Sequence, residues 1–162
     1  MWKYQSSDHE HISLHDHAID EIVTIDNDIL LTFNDGFDVI CTHPLNDTEK
    51  SKHTTTSQII LKNAFFVGGE VDYAVEITKQ KANEAYSVHR SFNFSTLLDV
   101  FVDFTVLQFD VVSGVFSLHG LLNSKYDSCE YANLRFNCSD VVFCWNDYSE
   151  DAWFEGWPTR IG

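Results

Sequence analysis

Apolar and polar residues alternate along most of this chain, and the alternation predicts strands. Ile19, Val23 and Ile25 share one face of a first strand that ends at Asp26-Asn27-Asp28. Ile29, Leu31 and Phe33 line a second, and Asn34-Asp35-Gly36 reads as a hairpin turn into a third carrying Phe37, Val39 and Cys41. These three strands form an expected meander. His43 to Thr56 is polar, contains Pro44 and three consecutive threonines, and reads as a loop with little to pack. A second hairpin is expected from Ser57–Val67 through Gly68-Gly69 to Val71, Tyr73, Val75 and Ile77, and the polar run Lys79–Ser91 reads as a connection.

The period then changes. Ser95 or Thr96 can cap a helix over residues 95–103, with Leu97, Leu98, Phe101 and Val102 on one face and Asp99 and Asp103 opposite. Alternation resumes at Leu107, Phe109 and Val111, turns at Ser113-Gly114, and continues from Val115 to Leu122. Two last strands carry Ala132, Leu134 and Phe136, then Val141, Phe143 and Trp145. No internal repeat or domain boundary interrupts the 162 residues. The expectation is one mainly β domain over residues 1–162: an antiparallel β-sandwich or partly open barrel of about nine strands and one helix. Residues 1–13 read as a flexible lead-in and 147–162 as an acidic, aromatic C-terminal segment.

Composition narrows the partners. With 25 acidic residues against 10 basic ones, the net charge is −15, which repels phosphate backbones and argues against nucleic acid. The same sign attracts a basic protein. No apolar run is long enough for a membrane helix, because Asp99, Asp103, Gln108 and Asp110 break the most apolar stretch. The N-terminus lacks a signal-peptide core, so a cytoplasmic location is expected. Cys41, Cys129, Cys138 and Cys144 show no CxxC spacing and read as reduced core or half-core thiols, with Cys138–Cys144 the one local candidate bridge.

Two clusters could carry chemistry. Asp8 to Asp16 is rich in histidine and acid, and His9, His11, His15 and His17 all fall on odd positions. On an extended strand they share a face, and H-x-H pairs of neutral imidazoles can converge on Zn²⁺ or Ni²⁺, with Asp8, Glu10 or Asp16 behind them. No further ligand stands at a defined offset, since His43, His53, His89 and His119 are scattered, so a solvated lead-in competes with the metal reading. The second cluster is C-terminal: Trp145, Tyr148, Trp153, Phe154 and Trp157 interleave with Asp147, Glu150, Asp151 and Glu155. Large aromatics ringed by acids suit a contact with a basic protein, and the indoles could also stack on sugar rings. The competing reading is a tail that closes over the core. No nucleophile elbow, calcium loop or catalytic carboxylate pair is identifiable, so the reading leans away from an enzyme.

The run Leu14-His15-Asp16-His17-Ala18-Ile19-Asp20-Glu21-Ile22, followed by Ile29-Leu30-Leu31-Thr32-Phe33 and Asp35-Gly36-Phe37, resembles the opening of small uncharacterised bacterial proteins. These begin with a Leu-His-Asp turn, a strand, and a second strand ending in an acidic-Gly turn. Phe143-Cys144-Trp145-Asn146 is similar to their late strand. His17 departs from the pattern, which more often has Cys or a small polar residue there. Some of these proteins are regarded as immunity proteins of polymorphic toxin systems. The resemblance implies a non-enzymatic inhibitor that occludes a basic toxin, and brings no catalytic residues. A carbohydrate-binding β-sandwich and a metal-binding protein or metalloenzyme built on the histidines are the alternatives.

Overall fold

Among the residues described by the computed structural model (1–76, 85–125 and 130–157), antiparallel strands dominate and a single helix is present. In chain order the strands are β1 (Tyr4–Ser6), β2 (Ile12–Ser13), β3 (Ala18–Ile19), β4 (Glu21–Ile25), β5 (Asp28–Phe33), β6 (Asp38–Val39), β7 (Lys52–Thr54), β8 (Ser57–Lys62), β9 (Phe65–Glu76) and β10 (Ala85–Phe92). Helix α1 (Phe94–Val100) follows, and then β11 (Phe101–Val112), β12 (Val115–Ser124), β13 (Glu130–Asn137), β14 (Asp140–Trp145) and β15 (Tyr148–Asp151). They form three sheets: β1-β14-β8-β5-β4, β10-β9-β13-β12-β11-β3, and the small β15-β7-β6-β2. Among the described residues none closes into a barrel, and the arrangement is that of a β-sandwich. No helix is long and apolar enough to cross a membrane among the described residues.

The two larger sheets bury one contiguous set of side chains. Ile29, Leu31 and Phe33 alternate inward on β5, as do Ile59 and Leu61 on β8 and Val141, Phe143 and Trp145 on β14. Opposite them stand Phe104 and Val106, Phe116 and Leu118, and Leu134 and Phe136. Phe109 and Phe143 tie the sheets directly, with ring centroids 6.0 Å apart. A register shift between Val106 and Gln108 flips the phase of β11. Phe104 and Val106 are buried before it, and Leu107, Phe109 and Val111 are half-buried after it. At Gly120 a Cβ would lie 2.0 Å from the Thr105 carbonyl oxygen, so the close approach of β11 and β12 requires glycine.

Several expectations change. The first strand breaks at Asp20, where β3 pairs with β11 and β4 joins a different sheet. The break shifts the phase, so Ile22 is buried and Ile25 faces solvent. The meander stops after two strands. Gly36, at φ +75°, closes a turn on the Phe33 carbonyl, and the chain then leaves for the small sheet. The second hairpin is not formed either. The chain turns at Asn63, φ +47°, and β9 runs unbroken through Gly68-Gly69 in the other large sheet. Part of the polar connection is strand β10, while Ile77 and residues 77–84 lie outside the described residues. Asn93, and not Ser95 or Thr96, caps α1, its Oδ1 accepting from Thr96 N at 2.9 Å. The helix ends at Val100 because Phe101 and its successors pair with β12.

Residues 1–13 are not a loose lead-in. β1 pairs with β14, Tyr4 opposite Trp145, and Ile12 is buried. The segment expected as a bare loop also packs: His43, Asn46, Ser51 and Thr54 are buried. Asn46 explains how a polar stretch can do this. Its Nδ2 donates to the carbonyls of Val39, Ile40 and Lys50, and its Oδ1 accepts from Thr48 N and Oγ1. Cys138 and Cys144 are free thiols and form no bridge. Cys41 is exposed rather than in the core, and Cys129 lies outside the described residues.

Candidate functional site

The four histidines of the N-terminal run do not share a face. His9 lines a shallow hollow with Ser7, Cys138 and Asp140. His11 Nδ1 lies 2.9 Å from Asp8 Oδ2, and its ring meets His43 edge-on at 6.4 Å. Burial alone would raise the Asp8 carboxyl, but the His11 bond and the charges of His11 and His43 hold it below the ordinary range. His15 Nδ1 reaches the Leu107 carbonyl at 2.8 Å and its ring lies 6.2 Å from Trp153. His17 turns inward to Asp38.

The cause of this dispersal is a turn. His17 N donates to Leu14 O at 3.0 Å, and Asp16 sits at φ +65°, the position where a type II turn needs a left-handed residue. A turn in the middle of the run cancels the period-2 geometry. The turn is clipped to the irregularity in β11, with Asp16 N donating to Val106 O and Val106 N to His17 O.

What forms instead is a His–Asp–His cluster from three chain segments. Asp38 and His53 face each other across the β6–β7 pair. Asp38 is fully buried, and its Oδ1 meets His53 Nδ1 at 2.8 Å while its Oδ2 meets His17 Nε2 at 2.8 Å. The two imidazole rings lie 4.9 Å apart, tilted by 40°. The other nitrogen of His53, Nε2, bonds the Asp35 carbonyl. Thr54 sets the register of this corner: Phe37 N donates to its Oγ1, which contacts Ser57 Oγ at 2.6 Å. A Cβ on Gly36 would fall 2.3–2.5 Å from atoms of Thr54 and Thr55, so glycine lets the turn lie close to β7. A buried carboxylate must be paired, and here two imidazoles do it.

The C-terminal cluster divides between core and surface. Trp145 is fully buried and stacks on Tyr4 at 5.4 Å, so it cannot contact a partner or a sugar. Tyr148 is half-buried beside Tyr4, and burial pushes its phenol above the ordinary value. Trp153 is 48% exposed and Trp157 63% exposed, with centroids 5.2 Å apart and planes at 89°. Asp147, Glu150 and Asp151, earlier in the same segment, are also exposed. The segment is docked on β7 and its flank. β15 pairs with β7, Ala152 N donates to Ser51 O, and Glu155 Oε2 accepts from Ser51 N at 2.7 Å. Lys52 and Lys50 both reach Asp151 and hold its carboxyl below the ordinary range, Lys52 most. Glu155 is thus a docking residue, while the two exposed indoles face outward.

Sequence reasoning missed a third feature. Phe66 stacks on Phe92 at 6.1 Å and on Phe94 at 5.4 Å, lining a cleft of about 790 Å³ with Leu97, Leu122 and Arg90. The signal was present in the phenylalanines around α1, but the connection they frame read as polar.

Comparison with protein-family models, with curated proteins and with solved structures gives no match for this chain.

Proposed function

We propose that this chain is a binding protein whose partner is a basic protein, engaged at the acidic, tryptophan-bearing surface between Asp147 and Trp157. The observation that carries the reading is the exposed pair Trp153 and Trp157, set edge to face at the end of a segment that also exposes Asp147 and Glu150. Indoles on a turn that follows a docked strand cost little entropy to bury, and exposed carboxylates steer a cationic partner. The net charge of −15 extends that field over the molecule. The resemblance of the Leu14–Ile22 opening to small uncharacterised bacterial proteins, some of them regarded as immunity proteins, supports a specific form of the reading: occlusion of a basic toxin without chemistry. The perpendicular indoles offer no flat two-ring platform, and the buried Trp145 offers none, so the geometry lends less to a sugar-stacking surface.

The test is co-expression with a basic toxin encoded beside this protein's gene, followed by affinity measurement at low and high salt. The expected result is a complex that weakens as salt rises and loses affinity by at least ~30-fold in Trp153→Ala/Trp157→Ala, the size of a hot-spot loss. An affinity indifferent to salt and to the double substitution would sink the proposal.

A further inference from the structure

We propose that His17, Asp38 and His53 bind one divalent transition-metal ion of the zinc type. Their candidate ligand atoms, brought from the Leu14–His17 turn, β6 and β7, all lie within 4.8 Å of one another. Two imidazole nitrogens and a carboxylate oxygen are a donor set suited to zinc and its first-row neighbours, whereas calcium and magnesium select oxygen alone. Three protein ligands leave a further coordination position for water.

The hydrogen bond of His53 to the Asp35 carbonyl is the second observation. Ligating histidines regularly donate their outer N–H to a backbone carbonyl, which fixes the ring and leaves the other nitrogen for the metal. His53 has that arrangement: Nε2 is held outside by Asp35, and Nδ1 is turned inward to Asp38. Asp38 presents one oxygen to each imidazole at 2.8 Å. A hydrogen-bonded pin of this kind needs a proton between each pair. One metal ion can replace both protons, and it compensates the buried carboxylate with a larger charge. Zinc-to-ligand distances of about 2.0–2.2 Å place tetrahedral ligands roughly 3.3–3.5 Å apart. That spacing lies between the 2.8 Å contacts and the 4.8 Å outer span of the cluster. The side chains of His17 and His53 keep 12% and 16% exposure, so an ion can enter while the carboxylate stays dry. The acidic surface concentrates cations around the site.

The experiment uses the full chain purified without a metal column, stripped with a chelator and titrated calorimetrically with ZnCl₂. The expected result is a one-to-one complex, a rise in Tm on adding zinc, and Zn²⁺-dependent shifts of the His17 and His53 ring signals in NMR of the unmodified protein. Affinity should fall at least ~100-fold in His17→Ala and in His53→Gln, and stay unchanged in His9→Ala/His11→Ala. Near-UV circular dichroism establishes that each variant is folded. The NMR result on the unmodified protein decides the matter if a variant is not. Absence of zinc binding by the unmodified chain, or shifts confined to His9 and His11, overturns the proposal and leaves a hydrogen-bonded pin.

Discussion

Replacing Asp38 with asparagine keeps its volume and one acceptor oxygen but removes the charge and turns an amide N–H₂ toward one imidazole. Asp38 is fully buried, and each of its oxygens holds a histidine at 2.8 Å. Hydrogen bonds to a charged group contribute ~1.5–3 kcal/mol each, and losing one partner of a buried pair costs ~3–5 kcal/mol. A neutral ring can accept the amide N–H, but both bonds lose their charge assistance, so the expected loss is about 3–4 kcal/mol. That is a large share of a domain's typical ~5–15 kcal/mol. For a chain of this length it corresponds to a fall in Tm of roughly 6–16 °C. Urea unfolding followed by tryptophan fluorescence, with a chelator present, measures it as a lower midpoint at unchanged slope. The exposed Asp151, paired with Lys50 and Lys52, is the control, and Asp151→Asn should leave the midpoint in place. An Asp38→Asn loss below ~1 kcal/mol would refute the argument, because it would mean that the carboxylate is neither dry nor doubly paired.

Gly120→Ala should be among the most damaging single-methyl additions in the chain, since the new Cβ would sit 2.0 Å from a backbone oxygen of β11. A loss above ~3 kcal/mol in the same urea assay is expected, and a neutral result would mean that β11 and β12 are spaced more widely. His43 gives a pH dependence. Burial lowers its value from 6.5, so the folded state keeps the ring neutral where the unfolded chain has begun to bind a proton. Its contribution is therefore complete above 6.5 and is lost as pH falls through the folded value. His43→Gln should flatten the slope of stability against pH just below 6.5, and an unchanged slope would assign that dependence to other groups.

The parts of the fold that were legible are those where one face is buried over several consecutive turns of the pleat. Ile29, Leu31 and Phe33, and Ala132, Leu134 and Phe136, alternate as read and are buried. Strand partners were not legible, because the chain changes sheet at Asp20 and again between β8 and β9, and local pattern carries no information on non-local pairing. The fate of Trp145 could have been read: it continues the inward set of Val141 and Phe143 at period 2. The His–Asp–His cluster was hidden for a different reason. His17 is separated from Asp38 by 21 positions and His53 from Asp38 by 15, and His53 sits in a stretch whose polarity hides how thoroughly it packs. Asn46 makes that packing possible, and one asparagine in a polar run gives no sign of five satisfied hydrogen bonds.

The three residues of β1 do more than extend a sheet. Tyr4, Gln5 and Ser6 lie along Trp145, Cys144 and Phe143, and Lys3 N is fastened to Asn146 Oδ1 at 2.7 Å. They are the outermost strand of their sheet, and without them β14 would become the edge. That new edge would carry Phe143, Cys144 and Trp145, an apolar run with unpaired backbone groups and no proline or lysine to discourage a second copy. A short N-terminal strand thus acts as a guard against self-association, and a version beginning after Ser7 should aggregate before it loses its fold.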